Sequence, residues 1–363
     1  MRSILVYIAL CKMNRLEAYD APSWIPRSID VLPSSRVQLS QLPTPIHPWQ
    51  GFPSVDIKRD DYTGSEMSGN KVRKLEFLLA HAIELGATDI VTVGGLQSNH
   101  CRATAVAARR LGLKPHLILR GEAQDALGRD GNLFIDRLFS AEIHMASDSE
   151  FEQLGGQGLV DRLVSQLEAQ NKTVYGFPSG GSNAMGTWGY IEATRELLDQ
   201  GLNTYERVYL ACGSGGTTAG LALAFKLANV QPNLIGLCVD DSPEFFYNKI
   251  YSILQNLLGE ITLRRVFPTK QSLQAYLRLE QSKGQGYAIS TDSELRFISN
   301  CARDSGVLLD PVYTGKAALG MVNDLQKYPL SSSSQRALFI HTGGLLGIFP
   351  KANQIDSILQ SER

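Results

Sequence analysis

Residues 208–228 read VYLACGSGGTTAGLALAFKLA. The first five form a short apolar run, as suits a strand covered on both faces. The last ten are helix formers. Between them stands Gly213-Ser214-Gly215-Gly216-Thr217-Thr218, a turn whose small residues let backbone N–H groups crowd an anion. The hydroxyls of Thr217 and Thr218 add donors. Strand, glycine turn and helix together predict a parallel α/β unit with a phosphate-binding turn at the helix N-terminus.

The same alternation extends outward in both directions. Strands are predicted at 55–60, 89–94, 116–120, 142–146, 173–177, 207–212, 234–240 and 336–341. Helices are predicted at 70–85, 99–111, 131–139, 158–170, 184–200, 217–229, 243–258, 269–282 and 291–305. Residues 1–50 are irregular, with PTPIHPW at 43–49 as extended chain. The expected fold class is α/β with open parallel sheets in two lobes. The boundaries are an N-terminal extension over 1–40, a large lobe from 41–71 and 188–363, and a small lobe over 72–187.

Composition narrows the function classes. Of 363 residues, 43% are hydrophobic, and 35 basic against 36 acidic side chains leave a net charge of −1, so nothing points to nucleic acid. The five cysteines are scattered without a CxxC pair, which argues against a disulfide framework or a structural metal site and for a reducing compartment. The apolar run in MRSILVYIALCKMNR is too short to span a bilayer, which needs about 20 residues. Its basic, acid-free start is compatible with a mitochondrial transit peptide, and Met13 is an equally good start; otherwise a cytoplasmic protein is expected.

Upstream, SGNKVRKLEF at 68–77 places two lysines at a helix start. At helical spacing, Leu75, Leu78, Leu79, Ala82 and Ile83 form one apolar stripe. Lys71 lies about 50° from its middle and Lys74 about 110°. Lys71 is thus expected at a packed cleft edge, where partial desolvation favours the neutral amine, and Lys74 in water. A second glycine turn, VGGLQSNHCRATAVAARRLG at 93–112, supplies Ser98 as a natural N-cap. The amides behind it suit a carboxylate or phosphate.

Three phosphate ligands compete for the 213–218 turn. A nucleoside triphosphate loop needs a GK[ST] ending, which is absent. A dinucleotide fingerprint gains support from Asp240 at the end of the next strand, but Thr218 occupies its third glycine position. Pyridoxal 5′-phosphate needs a lysine as well as the turn.

SGNKVRKLEF, GGLQSNHCRATAVAA, CGSGGTTAGLALA and LLDPVYTGKAALGM occur in this order and together resemble the D-cysteine desulfhydrase and 1-aminocyclopropane-1-carboxylate deaminase group of pyridoxal-phosphate enzymes. The resemblance runs from about Leu42 to Pro350. It implies the tryptophan-synthase β-subunit type of fold (fold type II), pyridoxal 5′-phosphate as cofactor, an amino acid as substrate and a homodimer, with no nucleic-acid or membrane partner. It also implies that Lys71 is the Schiff-base lysine and that Asn99 hydrogen-bonds the cofactor's ring oxygen. Ser98 would take the substrate carboxylate, and the loop Gly213, Ser214, Gly215, Gly216, Thr217, Thr218 the phosphate. Tyr313, in PVY, and Tyr287, in GQGYAIS, are the implied active-site tyrosines. His100 and His341 are read as supporting residues.

Thr314 is the position at which the deaminase branch of this group carries glutamate. A neutral hydroxyl near the pyridine nitrogen leaves it largely unprotonated, a weaker electron sink that suffices when thiolate departs from the β-carbon. The expectation is therefore D-cysteine desulfhydration to pyruvate, ammonia and hydrogen sulfide, in D-amino acid catabolism. The nearest alternative is aminocyclopropane-carboxylate deamination. A non-catalytic pyridoxal-phosphate binder and a nicotinamide dehydrogenase stand further off.

Overall fold

The computed structural model describes residues 16–122 and 128–361. The transit-peptide reading and Cys11 lie outside them. Two strands, β1 (Leu16–Ala18) and β2 (Ser35–Val37), pair as a small antiparallel sheet. Then follow β3 (Ile46–Pro48), β4 (Val55–Lys58), α1 (Lys71–Glu84), β5 (Asp89–Gly95), α2 (Asn99–Arg110), β6 (Lys114–Arg120), α3 (Gly131–Leu138), β7 (Glu142–Ala146), α4 (Asp148–Glu168), β8 (Val174–Gly176) and α5 (Ala184–Asp199). The remainder comprises β9 (Tyr205–Cys212), α6 (Gly216–Leu227), β10 (Asn233–Cys238), α7 (Pro243–Val266), α8 (Lys270–Gln274), β11 (Leu277–Gln281), α9 (Asp292–Ser305), α10 (Thr314–Lys327), β12 (Arg336–Ile340) and α11 (Ala352–Ser361).

Three expectations need correction. The helix expected over 269–282 is the short α8 followed by strand β11, in which Leu277 and Leu279 turn inward while Arg278 and Glu280 sit less buried. That alternation is a strand period carried by residues that usually favour helices. A helix over 314–327 is present where none was expected. Helix α4 begins ten residues before its expected start, at a Ser147–Glu150 capping box, and bends where Gly155 leaves helical geometry.

The main sheet runs β11-β10-β9-β12-β4-β3, parallel except for the antiparallel edge strand β3. A second sheet, β7-β6-β5-β8, is parallel throughout. In β9, Val208, Leu210 and Cys212 pack to one side with α5 and α6, while Tyr209 and Ala211 pack to the other with Ala317 and Met321. A sheet covered on both faces requires this, and it explains why the strands read as continuous apolar runs.

Helix α1 is packed so closely that a Cβ on Gly189 of α5 would stand 2.5 Å from the Arg73 carbonyl carbon. Arg73 is buried and pairs with Asp60 at 2.8 Å and with Glu196 at 2.9 Å. Lys58 meets Glu196, and Tyr190 donates to Asp60 at 2.6 Å. Burial pushes the Asp60 carboxyl up, but Arg73 and Lys58 outweigh it and hold the group down at about 2. This network fixes the rotation of α1 and hence the direction of Lys71. No helix among the described residues is long and apolar enough to cross a membrane.

Candidate active site

A pocket between the two sheets takes its walls from the segment before α1, the α2 and α6 N-termini, and the start of α10. Lys71 opens α1 and faces it. Its Nζ donates to Asn70 Oδ1 at 2.9 Å, and Asn70 Nδ2 donates to Thr217 Oγ1 at 3.0 Å. Asn70 thereby ties the lysine to the glycine turn. Burial disfavours the Lys71 ammonium; Asp310 opposes this and Arg102 adds to it, leaving the pKa lowered to about 8.

Lys74 corrects the helical-wheel reading. It has no solvent exposure and donates to Gly180 O at 3.0 Å and Ser182 Oγ at 3.2 Å. The stripe argument fails because α1 is enclosed on nearly every side, with Arg73, Lys74 and Glu76 buried beside the apolar residues. Burial, then Lys71 and Lys249, push the Lys74 pKa well down.

Above Lys74 lies the glycine turn. Ser182 Oγ accepts from Gly216 N at 3.3 Å and donates to Ser214 Oγ at 2.8 Å. A Cβ at Gly216 would stand 2.7 Å from Ser182 Oγ and 2.8 Å from Lys74 Nζ, and Gly215 has φ +85°. Thr218 Oγ1 is buried without a protein partner. Gly213, Ser214, Gly215, Thr217 and Thr218 line the pocket; Gly216 is not among its walls. Main-chain amides, the unpartnered Thr218 hydroxyl, the buried Lys74 amine, which an anion would help to protonate, and an easily neutralised Lys71 fit a phosphate-bearing aldehyde, as pyridoxal 5′-phosphate is.

Ser98 caps α2, accepting from Cys101 N at 3.1 Å, and Gly94 leaves room for it, since a Cβ there would fall 2.6 Å from Ser98 Oγ. Asn99 lines the pocket, and its Oδ1 accepts from Asn132 Nδ2 at 3.0 Å, which leaves its own amide N–H groups as the donors it can offer a ligand. His100 also lines the pocket. Thr92 gives its proton to Phe177 O at 3.0 Å, so His100 donates Nε2–H to Thr92 Oγ1 at 2.9 Å. His100 Nδ1 is left buried and unpartnered, and burial with Lys71 and Lys74 keeps the ring neutral. His341 donates to Leu308 O at 3.0 Å and accepts from Gly343 N at 3.1 Å; it does not line the pocket itself but holds Gly343, which does.

Tyr287 and Tyr313 meet in the pocket through their hydroxyls at 2.6 Å, rings edge to face. A Cβ at Gly213 would stand 2.8 Å from the Tyr313 ring. Thr314 lies outside the pocket lining. Its hydroxyl donates to Asp310 Oδ1 at 2.7 Å, and Asp310 Oδ2 receives Val312 N and Tyr313 N at 2.9 Å each. Thr314 is thus turned into the anchor of α10, with its single proton committed. Of the catalytic and cofactor-binding residues expected from the sequence, the pocket gathers all but Gly216 and Thr314, and of the two supporting histidines it takes in His100 and not His341. It adds Asn70 and, packed against the glycine turn, Lys74 and Ser182. Asn70 stands beside Lys71 in the same motif and was within reach of the sequence. Lys74 and Ser182 were not, because only the folded chain brings positions 74, 182 and 216 together.

The family model described as pyridoxal-phosphate dependent enzyme matches residues 37–343. The chain is 43% identical over 355 residues to the Arabidopsis thaliana bifunctional D-cysteine desulfhydrase/1-aminocyclopropane-1-carboxylate deaminase, mitochondrial, spanning 94% of this chain and 86% of that one. It is 36% identical over 328 residues to a putative 1-aminocyclopropane-1-carboxylate deaminase of Thermotoga maritima, spanning 88% and 99%. A crystal structure of an ACC deaminase homologue superposes with a TM-score of 0.74 at 31% identity, over 89% of this chain and 96% of that one. The expected fold, cofactor and family all hold: the chain belongs to the pyridoxal-phosphate dependent enzymes, in the group of the D-cysteine desulfhydrases and 1-aminocyclopropane-1-carboxylate deaminases.

Proposed function

We propose that this lyase eliminates hydrogen sulfide from D-cysteine, the remaining carbon skeleton leaving as pyruvate and the nitrogen as ammonia. The observation that carries the reading is the convergence of Lys71, the capped α2 N-terminus and the hydroxyl pair of Tyr287 and Tyr313 on one pocket. Pyridoxal phosphate, when bound, supplies the electron sink for charge developing at the substrate α-carbon.

The chain's own residues do the rest. The glycine turn, with Thr218 Oγ1 free and Lys74 beneath it, would hold the phosphate, and Asn99 would donate to the ring oxygen. Ser98 and the amides at the start of α2 would take the substrate carboxylate and aim the α-hydrogen of the D-enantiomer at Lys71. Lys71, with its pKa already lowered to about 8, would remove that proton as general base. The tyrosine pair would place a hydroxyl proton at the departing sulfur. Released 2-aminoacrylate then hydrolyses in water. Carbon–sulfur cleavage needs no outside oxidant, because the α-proton and the thiolate leave as hydrogen sulfide.

Deamination of 1-aminocyclopropane-1-carboxylate in the same site is the second reading. Its support is the bifunctional name of the 43% identical relative. Thr314 favours D-cysteine over it, since no carboxylate stands at that position to protonate the pyridine nitrogen. A homodimer, and a cytoplasmic or mitochondrial compartment, are part of the same proposal. The test is the visible spectrum of purified holoenzyme, with sulfide and ammonia assays on both substrates. A cofactor band perturbed by D-cysteine, with sulfide released, and both lost in Lys71→Ala, is the expected result. Ammonia from aminocyclopropane-carboxylate without sulfide from D-cysteine would reverse the assignment. Thr314→Glu should shift the ratio of the two activities.

A further inference from the structure

Tyr287 sits on a segment with little of its own to hold it. The loop between β11 and α9 leaves Tyr287 43% and Ile289 51% exposed. It contains positive φ at Gly284, Gly286 and Ala288, and closes with a Gly286–Ile289 bridge. Such a segment buries too little apolar surface to fix a side chain to within a few tenths of an ångström.

What anchors it comes from below. Lys316, in the first turn of α10, has a side chain with no solvent exposure. Its ammonium donates to Lys283 O at 2.6 Å, Ile289 O at 2.7 Å and Gly286 O at 3.2 Å. An ammonium has three N–H donors, and the loop offers three carbonyls. Glu294 Oε1 stands 3.3 Å away and balances the charge, while Glu294 Oε2 accepts from Thr291 N at 2.8 Å and caps α9. The gripped residues bracket Tyr287 on both sides. Lys316 also lies three positions after Tyr313 on the same stretch of chain. One side chain thus refers the loop tyrosine to the helix that carries its partner.

We infer that Lys316 is a positioning residue for the reaction: a tethered cation in a cage of loop carbonyls that holds the Tyr287 hydroxyl against Tyr313. This rests on the reading of Tyr287 as an active-site residue. Lys316 itself does not line the pocket and touches no reacting atom. A surface cleft lined by Gly284, Glu294 and Gly320 opens beside it, so a small cation can enter if the lysine is shortened.

The test is a double-mutant cycle on the holoenzyme, read as sulfide release from D-cysteine, with amide hydrogen exchange measured over the 283–289 segment. Lys316→Met is expected to retain the cofactor band, to lower kcat by about 10-fold or more, and to speed exchange in the loop. Added to Tyr287→Phe, it should lower kcat little further, because both changes remove one hydroxyl from one position. Methylammonium should restore part of the activity of Lys316→Ala and not of Tyr287→Phe. Multiplicative losses in the cycle, or loop exchange unchanged from wild type, would overturn the clamp. An undiminished Tyr287→Phe enzyme would instead overturn the role of Tyr287 while the exchange data still judged the clamp. Should Lys316→Met fail to fold, the comparison passes to Lys316→Gln, which keeps a donor. Unprotected 283–289 amides in wild-type holoenzyme would count against the proposal regardless of any variant.

Discussion

The hydroxyls of Tyr287 and Tyr313 stand 2.6 Å apart, one on a half-open loop and the other at the entry to a buried helix. Only one O–H can lie between them, so the second proton is free to point at a ligand. Burial pushes Tyr287 up to about 12, and burial together with Tyr287 pushes Tyr313 well above its ordinary value, so both stay protonated at neutral pH. The pair works as a single donor with a spare lone pair. Tyr313→Phe and Tyr287→Phe are each expected to reduce kcat for sulfide release by about 100-fold. The double variant should be hardly worse than either single one. Steady-state kinetics on the three variants checks this, and independent, multiplying losses would show two separate roles.

Lys71 gives a pH dependence that can be read before any turnover. Its pKa is lowered from 10.5 to about 8, and only the neutral amine attacks an aldehyde. In apoenzyme, the rate of cofactor attachment should therefore rise about tenfold per pH unit below 8 and level off above it. Stopped-flow growth of the visible band measures this. A profile still climbing at pH 10 would mean that the pocket does not desolvate the lysine.

Lys74 should matter through affinity rather than chemistry. It is buried beneath the glycine turn and shares Ser182 with the Gly216 amide. Lys74→Met is expected to weaken cofactor binding by about 10- to 100-fold, the range for a lost charge-assisted contact of about 1.5–3 kcal/mol. The cofactor-dependent rise in Tm should shrink with it. Equilibrium titration of apoenzyme followed by thermal melts would decide; unchanged affinity would leave Lys74 a purely structural residue.

Arg73 is the stability counterpart. Removing it in Arg73→Met takes from buried Asp60 its ion-pair partner and largest opposing charge, leaving Lys58 and the Tyr190 hydroxyl to offset burial only in part, at a cost of about 3–5 kcal/mol. Asp60 is held down at about 2 from an ordinary 3.8, so its contribution is present above about pH 4 and fades as pH falls toward 2. The variant loses the largest cause of that depression, and, being less stable throughout, should unfold in acid at a higher pH. Urea melts at pH 7 and acid titrations followed by circular dichroism test both halves.

The parts of this molecule legible in its sequence are those set by local chemistry. Strand β9, the 213–218 turn and helix α6 were readable as one unit because glycine turns and doubly covered strands leave their mark on neighbouring residues. Ser98 was readable as an N-cap for the same reason. Strand β11 was misread because Leu277–Gln281 uses helix-favouring residues at an edge position, where pairing with β10 decides. Lys74 was misplaced because a wheel assumes one wet face, and α1 has almost none. The bond from Thr314 to Asp310 had no signal in the sequence either, since it depends on how the chain turns into α10. In each case a partner more than a few residues away in sequence, or a carboxylate within one turn, overrode the local signal.

Lys316 takes hold of main-chain oxygens, which every amino acid carries. Apart from the Tyr287 hydroxyl on Tyr313, and Gly284, whose Cβ would stand 2.5 Å from Glu294 Oε1, the hold on the 283–289 loop described above runs through its main chain. Mutations there can accumulate without loosening the grip. Over generations, the rim of the pocket can be rewritten for another amino acid while the cofactor machinery below is left alone. Relatives with different substrate preferences should therefore differ first in this loop and last in the lysine that holds it.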